Sequence, residues 1–263
     1  MGSLILMYHD IFFKSPSTFI PRSSNMYHIS EQSFINHLNQ LKIAKLNVVP
    51  LSELLAKSNS ISLTFDDGWH GAFNIGLPIL NDFGFKCTFF ITKDFIGQRG
   101  FIDEEGIIMA SEAGMEIGVH GTTHRMLSNC SSEEISWEFS NCKEYLESLT
   151  GQNIISASMP GGDWNEKIAS CIKSIGFKNL CCSTPGINYS HLDSFKLYRI
   201  PIKDNTRVSD IARYCNNNIY KELIRSKFYN LPQKLLGMKR YSNLRRWILG
   251  DVKNNKSSEI FKP

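Results

Sequence analysis

The sequence predicts an α/β protein in which short, mostly parallel strands alternate with helices. Eight short apolar segments lie along the first 218 residues, and most are continuously apolar, as in parallel strands that are buried on both faces. Helical patterns separate these segments, and such alternation is typical of a parallel sheet. With 263 residues, 42% of them hydrophobic, the chain can bury the core of one large domain that carries a small appendage.

The predicted strands are short apolar runs. They are Leu4–His9, Asn47–Pro50, Ser60–Phe65, Lys86–Ile91, Met115–Val119, Ile154–Ser158, Phe177–Cys181 and Lys196–Ile200. Periodicity alone does not choose between an open sheet and a sheet closed into a barrel. In both, we expect the chemistry on the loops that leave the carboxyl ends of the strands.

The predicted helices are marked by the residues at their ends. Ser30 is a typical N-cap, Ser131-Ser-Glu-Glu has the form of a capping box, and Gly84 and Gly176 are typical of helix carboxyl ends. The predicted helices are Glu31–Ala44, a short helix that starts at Ser52, Trp69–Phe83, Glu133–Leu149, Asn165–Ile175 and Thr206–Asn217.

Composition excludes several classes of protein. The mean hydropathy is −0.20, and no apolar run approaches the roughly 18 residues that a membrane-spanning helix needs. Seven cysteines in 263 residues are too sparse, and odd in number, for a disulfide scaffold. The first residues lack the basic and apolar regions of a secretory signal. We therefore expect a cytoplasmic location.

Positive charge is concentrated at the end of the chain. The formal net charge is +4, but residues 221–263 hold eleven Lys or Arg against three acidic residues. We therefore divide the chain into residues 1–218 and a basic helical extension over 219–263. The extension is expected either to pack on the domain with a solvated basic face or to bind an anionic membrane surface. Nucleic-acid binding is not predicted, because no nucleic-acid motif is present.

Two adjacent carboxylates follow the predicted strand Ser60–Phe65. Asp66 and Asp67 are followed by Gly68, which favours a sharp turn. Like charges this close raise one pKa unless a cation or a hydrogen-bond donor compensates. An ordinary turn with a capping Asp also explains this motif when it is taken alone.

Two histidines follow the predicted strand Met115–Val119. His120 and His124 are four residues apart, a spacing at which two imidazoles can share a metal ion within one tight turn. Unrelated surface histidines are an equally good explanation of this pair alone. Together with one of the two aspartates, however, the pair completes the three-ligand set of a catalytic zinc with an open position for water. The second aspartate would then act as the base for that water.

A third loop, Pro160-Gly161-Gly162, follows the predicted strand Ile154–Ser158. It precedes a helix and leaves backbone N–H groups accessible, so it can stabilise an oxyanion. An ordinary strand-to-helix turn is an equally good interpretation of this loop alone.

These motifs resemble those of the polysaccharide deacetylases, the carbohydrate esterase family 4 enzymes with the NodB homology domain. The matching motifs are Thr64-Phe-Asp66-Asp67-Gly68, His120-Gly-Thr-Thr-His124 and the Pro-Gly loop, in that order. Leu4–Asp10 and Tyr198–Pro201 resemble flanking strands of the exopolysaccharide-associated branch. The resemblance covers roughly residues 3–218 and implies a distorted (β/α) barrel, usually of seven strands.

The resemblance also implies a reaction. It assigns Asp67, His120 and His124 to a divalent metal, usually zinc, and Asp66 to the general base. A backbone N–H near Gly161 would help the metal to stabilise the oxyanion. The expected reaction removes N-acetyl groups from an amino sugar, oligosaccharide or polysaccharide, in cell-surface or exopolysaccharide biosynthesis.

Two positions depart from the family pattern. Ser158 stands where the family usually has an arginine that orients the base. The segment Leu197–Pro201 lacks the histidine that usually serves as general acid, and its Arg199 cannot donate a proton at useful pH. Either Asp66 performs both tasks, or His191 supplies the proton.

Three aromatic side chains are candidates for substrate binding. His9 ends the first predicted strand and would lie at the same rim, where it could bind substrate, support the metal site or be purely structural. Trp69 and Trp164 directly follow two of the motifs and could stack on a sugar ring or pack beneath their loops.

Two alternative functions remain. A deformylase of a lipid-linked amino sugar would keep the fold and the metal but change the acyl group. A non-catalytic carbohydrate-binding relative would account for the missing acid and for Ser158. The aspartate at position 66 argues against the second alternative, because a binding module needs no base.

Overall fold

The computed structural model describes residues 2–15, 25–57, 59–162 and 164–226. The strands are β1 (Leu4–Tyr8), β2 (Asp10–Phe12), β3 (His28–Ser30), β4 (Asn47–Val48), β5 (Ser60–Phe65), β6 (Thr88–Ile91), β7 (Glu116–Val119), β8 (Ser156–Ser158), β9 (Asn179–Cys181) and β10 (Ile200–Pro201). The helices are α1 (Glu31–Ile43), α2 (Leu77–Phe83), α3 (Glu104–Glu112), α4 (Ser132–Thr150), α5 (Glu166–Ser174) and α6 (Val208–Cys215), and a further helical segment spans 220–226.

The main sheet is parallel and curls into a barrel. Its strands are hydrogen-bonded in the order β10-β1-β5-β6-β7-β8-β9, with β4 paired to the start of β5. Leu197 forms a parallel bridge to Cys181 of β9, while Ile200 of β10 pairs with Leu6 of β1. The segment 197–201 thus contacts both edges of the sheet, so that seven strand positions surround the core. The predicted (β/α) barrel is confirmed.

All eight predicted strands are present, although several are shorter than expected. The small sheet of β2 and β3 was not predicted, because strands of three residues carry almost no periodic signal. This sheet lies directly after β1 in the chain, at the end of the barrel where the candidate site lies. Its pairing connects Asp10 to His28, and the His28 imidazole contacts the Asp10 carboxylate at 3.0 Å.

The interior is filled by apolar side chains from the strands and helices. Tyr8, Phe34 and Phe65 are each at most 1% exposed and pack ring against ring, with centroids 5.3–5.8 Å apart. Burial of one such side chain is worth about 1.5–3 kcal/mol, so these contacts fix α1 against β1 and β5. The strands that lead to the candidate site are therefore held rigidly.

Most of the predicted helix starts are confirmed. Ser30 caps α1, Asn165 caps α5, and Ser131 with Glu134 forms the predicted capping box of α4. Such caps satisfy N–H groups that the first turn of a helix leaves unpaired, and each contributes about 1 kcal/mol.

Three helix predictions were wrong in detail. The segment at Ser52 is only a 3-10 turn, Leu51–Glu53. The predicted helix Trp69–Phe83 consists of a π-helical turn, Ala72–Gly76, followed by α2. Pro78 lacks the N–H that would continue the hydrogen-bond ladder from the preceding turn.

Helix α3 was not predicted because Gly106 stands in its first turn. Ile102 packs where a Cβ at position 106 would lie, 2.2 Å from the nearest methyl carbon.

The start of the predicted extension packs on α6. Glu222 accepts hydrogen bonds from Arg213 at 2.9 Å and from the Tyr214 hydroxyl at 2.8 Å. Residues 227–263, with most of the basic charge, lie outside the described residues, so the domain boundary and membrane binding stay predictions. Along the part of the chain that the structure describes, no helix has the length and apolar character needed to cross a bilayer.

Candidate active site

The carboxyl ends of the parallel strands bring the predicted chemical residues to one rim. Asp66 and Asp67 directly follow β5, His120 follows β7, and Ser158 is the last residue of β8. His9 follows β1 at the same end. The barrel thereby gathers side chains that are far apart in sequence, as expected for parallel α/β folds.

Asp67, His120 and His124 meet at a single point. The Asp67 Oδ1 atom lies 3.2 Å from His120 Nε2 and 3.1 Å from His124 Nε2. The three ligand atoms all lie within 4.8 Å of one another. Two ligands of a tetrahedral zinc, each about 2.0–2.1 Å from the ion, are separated by about 3.3 Å. The spacing therefore suits a divalent metal.

The backbone of this cluster adopts unusual conformations. Asp67 and His124 have φ angles of 74° and 60°, in the left-handed region that few non-glycine residues occupy. Gly68 continues the turn with a φ of 88°. Such conformations cost of order 1–3 kcal/mol each and persist where surrounding contacts impose them. Two of the three candidate ligands are thus held in place at a cost to local backbone energy.

The other polar atoms of the ligands are engaged elsewhere. His120 Nδ1 lies 2.5 Å from the Ser158 hydroxyl and 3.2 Å from its carbonyl oxygen. The Trp69 indole N–H donates to Asp67 Oδ2 at 3.0 Å. These contacts orient the ring and the carboxylate so that two Nε2 atoms and one oxygen remain for a metal, the arrangement that metal sites use to fix their ligands.

Electrostatics keeps the Asp67 carboxylate ionised. Burial alone would raise its pKa, but the positive charge of His124 and hydrogen bonds from both imidazoles outweigh burial and hold the pKa well below its usual range. The same pair acts in reverse on His124, since Asp67 overcomes burial and raises the pKa of that imidazole. The cluster therefore offers a negative oxygen between two nitrogens.

Asp66 is paired with Arg199 inside the barrel. Both side chains are buried, and the guanidinium donates two hydrogen bonds to the carboxylate, Nη1 to Oδ1 at 2.6 Å and Nη2 to Oδ2 at 2.8 Å. Arg199 Nε also donates to the Cys182 carbonyl at 3.0 Å. Burial opposes ionisation of Asp66, but the charge and hydrogen bonds of Arg199, together with the charges of His120 and His9, outweigh burial and lower the pKa of Asp66.

Comparison with known proteins agrees with this geometry. Residues 55–180 match the family model described as polysaccharide deacetylase. YxkH of Bacillus subtilis, whose own name assigns it provisionally to the polysaccharide deacetylases, is 23% identical over 80% of this chain and 75% of its own length. A chitooligosaccharide deacetylase of Azorhizobium caulinodans is 26% identical over 48% of this chain and 60% of its own. Over residues 55–180, the chain is therefore similar to the polysaccharide deacetylases.

Solved structures show that the fold is shared with this family. The Streptococcus pyogenes deacetylase PplD, solved in complex with acetate, superimposes with a TM-score of 0.73 at 22% sequence identity. The match covers 81% of this chain and 97% of PplD. The barrel is therefore the fold of known deacetylases, although most residues differ.

Arg199 is the functional residue that sequence reasoning missed. The sequence shows Ser158 where the family usually has an arginine, and it led us to consider Arg199 only as an unsuitable acid. Arg199 instead contacts Asp66, and Ser158 contacts His120. The available signal was an arginine inside the predicted strand Lys196–Ile200, because an arginine that is buried in a strand needs an anionic partner.

His9 lies at the site, and His191 does not. The His9 ring packs on Tyr27 with centroids 4.6 Å apart, and its Nδ1 is buried without a hydrogen-bond partner among the described residues. Burial lowers the pKa of His9, against the opposing charges of Asp67 and Asp66 nearby.

The prediction that His191 reaches the site is wrong. His191 is exposed and stacks on Tyr189 at 5.6 Å. This segment is tied to the opposite end of the barrel, because Asn188 pairs with Ser3 at the start of β1.

Neither Trp69 nor Trp164, the two candidates for stacking on a sugar ring, presents a free ring face to the candidate metal ligands. Trp69 is 7% exposed and stacks on Phe101 at 4.4 Å, so it supports Asp67 rather than offering a surface for a sugar. Trp164 donates its indole N–H to the Phe195 carbonyl at 2.7 Å, and the Lys196 ammonium lies 3.7 Å from the ring centroid. Both rings are used in packing their loops.

Gly161 lies beside the histidine loop. Its φ of 64° is left-handed, and a Cβ there would come within 2.5 Å of the Met126 sulfur. A Cβ on Gly121 would lie 3.6 Å from the Pro160 ring. The Pro-Gly loop therefore packs directly against the segment that carries His120 and His124.

Proposed function

We propose that this protein is a metal-dependent hydrolase that removes N-acetyl groups from an amino sugar, oligosaccharide or polysaccharide. The observation that carries the proposal is the convergence of the Asp67, His120 and His124 ligand atoms beside a second carboxylate, Asp66, that Arg199 keeps ionised. A carbohydrate-binding module needs neither metal ligands that activate water nor a carboxylate that accepts a proton. This disfavours the non-catalytic alternative.

Asp67, His120 and His124 would hold the metal, most simply zinc, since one carboxylate and two imidazoles are typical zinc ligands. The ion, when bound, supplies Lewis-acid polarisation of the amide carbonyl and a lowered pKa for the attacking water.

Asp66 acts as the general base. Its carboxylate takes a proton from the water as the water oxygen adds to the amide carbon. Arg199 keeps Asp66 negative at neutral pH and fixes its plane through two parallel hydrogen bonds. A bidentate pair of this kind also prevents the carboxylate from rotating away from the substrate.

His9 gives the proton to the leaving amine. The C–N bond breaks as the nitrogen takes up this proton, which leaves acetate and a free amino sugar. His9 suits the task because it lies at the rim with an unpartnered Nδ1, and because a lowered pKa makes its protonated ring a stronger acid. Backbone N–H groups near Gly161 assist by stabilising the oxyanion that forms before the bond breaks.

The substrate class is supported by the similarity to the Azorhizobium relative, which is named a chitooligosaccharide deacetylase. We propose a role in cell-surface or exopolysaccharide biosynthesis. We also propose a cytoplasmic location, because all seven cysteines are free thiols, as a reducing compartment favours. A precursor sugar rather than an exported polymer would then be the substrate.

Product release from matched substrates tests the proposal. N-acetylated and N-formylated chito-oligosaccharides would be incubated with the zinc-loaded protein and with Asp66→Asn, and acetate and formate measured. Acetate release that the variant loses supports the proposal. Formate release alone would favour the deformylase, and release of neither acid, or equal release by the variant, would refute hydrolysis by this site.

A further inference from the structure

Glu138 is a buried acidic residue that the reaction does not use. It lies on α4, two turns after the helix begins, and only 1% of its surface is exposed. A carboxylate buried this deeply is rare unless several donors satisfy it. Its partners therefore indicate what it does.

All the donors on Glu138 come from the segment that carries the candidate histidine ligands. Its Oε2 atom accepts the backbone N–H groups of Thr122 and Thr123, each at 2.8 Å. Its Oε1 atom accepts the Thr123 hydroxyl at 2.6 Å and lies 2.9 Å from the Arg125 Nε atom. The Thr122 hydroxyl also donates to the Glu138 backbone carbonyl at 2.8 Å.

The same segment is held from its other side by the backbone after β6. The N–H of Lys93 donates to the Gly121 carbonyl at 3.2 Å, and the N–H of Asp94 donates to the Thr122 carbonyl at 3.0 Å. Among the three residues between His120 and His124, the second and third have their N–H groups on Glu138. The first and second have their carbonyl groups on the N–H groups of residues 93 and 94. His124, whose backbone is left-handed, follows directly after these hydrogen-bonded residues.

We propose that Glu138 is a positioning residue that sets the relative placement of His120 and His124 and thereby the affinity of the site for its metal. This inference rests on the proposed function only in that the site holds a metal. The carboxylate acts on the backbone between the two ligands, so its removal frees His124 to leave the left-handed conformation. Partners of metal ligands often change metal affinity by about 10–100-fold when they are replaced.

Two substitutions of Glu138 remove its carboxylate oxygens in steps, first one and then both. Glu138→Gln keeps one acceptor oxygen for the two N–H groups, but its amide N–H₂ faces Arg125 instead of an oxygen. Glu138→Ala removes every acceptor and leaves two N–H groups unpaired. Glu134→Gln is the matched control, because Glu134 is on the same helix and also contacts Arg125, at 3.2 Å, but accepts from neither threonine N–H.

Zinc titration of the metal-free proteins by calorimetry tests the inference, with the unfolding midpoint of each metal-free protein measured beside it. We expect a dissociation constant about 10-fold higher for Glu138→Gln and at least about 100-fold higher for Glu138→Ala, with Glu134→Gln like the wild type. The unfolding midpoint of Glu138→Gln should stay close to that of Glu134→Gln. If Glu138→Ala does not fold, Glu138→Gln alone decides.

Two results would overturn the inference. One is wild-type zinc affinity in Glu138→Gln. The other is a loss of affinity that disappears when the titration is repeated well below the unfolding midpoint of the variant, because this would indicate general destabilisation. If the wild type itself binds no zinc, the proposed function fails, which is a distinct outcome from failure of this inference.

Discussion

Arg199 and Asp66 form a two-pronged ion pair inside the barrel, with N–O distances of 2.6 and 2.8 Å. Neither charge is exposed to solvent, so each is costly unless the other is present. The pair joins the strand segment that closes the barrel to the turn after β5. It therefore couples closure of the fold to the ionisation of the proposed base.

Removal of the Arg199 charge should lower activity strongly and shift its pH dependence. In Arg199→Met, burial acts on Asp66 against only the charges of His120 and His9, so the pKa of Asp66 rises and the acidic limb of the kcat profile should move to higher pH. We expect kcat at neutral pH to fall by at least about 100-fold, and the free energy of unfolding to fall by about 3–5 kcal/mol. Steady-state kinetics across pH 5–9 and urea unfolding measure the two effects.

Arg199→Lys is the matched variant for this prediction. It keeps the charge but cannot form two parallel hydrogen bonds, so its profile should lie between those of the wild type and Arg199→Met. An acidic limb at the same pH in all three proteins would show that Arg199 does not control the base.

Substitution of His9 should lower kcat, and substitution of His191 should not. His9→Gln should lower kcat by about 10²–10⁴-fold, the usual contribution of a general acid, while His191→Gln should leave kcat unchanged. Acetate release by the two purified variants is the measurement, with zinc content checked in both. Equal activity of His9→Gln and the wild type would remove His9 from the mechanism.

Trp69 should affect metal binding rather than sugar binding. Trp69→Phe loses the indole N–H that holds Asp67 Oδ2 but keeps a ring to stack on Phe101. We expect zinc affinity to fall about 10-fold, while KM changes little once the site is saturated with zinc. A large rise in KM at full zinc occupancy would instead favour the sugar-stacking role predicted from sequence.

His37 should make the protein less stable in acid. This histidine is buried, and its Nε2 atom lies 3.3 Å from the Thr206 carbonyl oxygen. Burial lowers its pKa below 6.5, with the Thr206 carbonyl opposing. Because the unfolded chain then binds a proton that the folded chain does not, stability is complete above about pH 6.5 and declines as the pH falls below it.

The slope from one such group is at most about 1.4 kcal/mol per pH unit. Urea unfolding at pH 8, 6.5 and 5.5 should show a smaller acid loss in His37→Gln than in the wild type. The exposed His70→Gln serves as control and should follow the wild type. If the wild type and His37→Gln lose stability in parallel, His37 does not carry the effect.

The sequence allowed a parallel α/β sheet to be predicted because buried parallel strands are continuously apolar, as in Ser60–Phe65. Closure of that sheet into a barrel was predicted only from the resemblance to the deacetylases. It also predicted a metal site made of His120, His124 and one of the two aspartates, since these residues follow strands whose ends converge. The resemblance to the deacetylases added the roles, which spacing alone left open between the two aspartates.

The contacts that support these residues could not be predicted in the same way. Arg199 and Asp66 are 133 residues apart, and no local pattern pairs them. Glu138 lies within an amphipathic helix in which a glutamate is ordinarily exposed. His191 looked suitable because it is close to Arg199 in sequence, but the chain between them crosses to the opposite end of the barrel.

The central claim is that Asp67, His120 and His124 bind one catalytic metal, and zinc titration of the metal-stripped protein tests it most directly. The wild type should bind zinc tightly at one site per chain, and His124→Ala should lose that site while remaining folded by circular dichroism. A wild type without a tight site, or a His124→Ala variant that binds zinc as tightly as the wild type, would contradict the account.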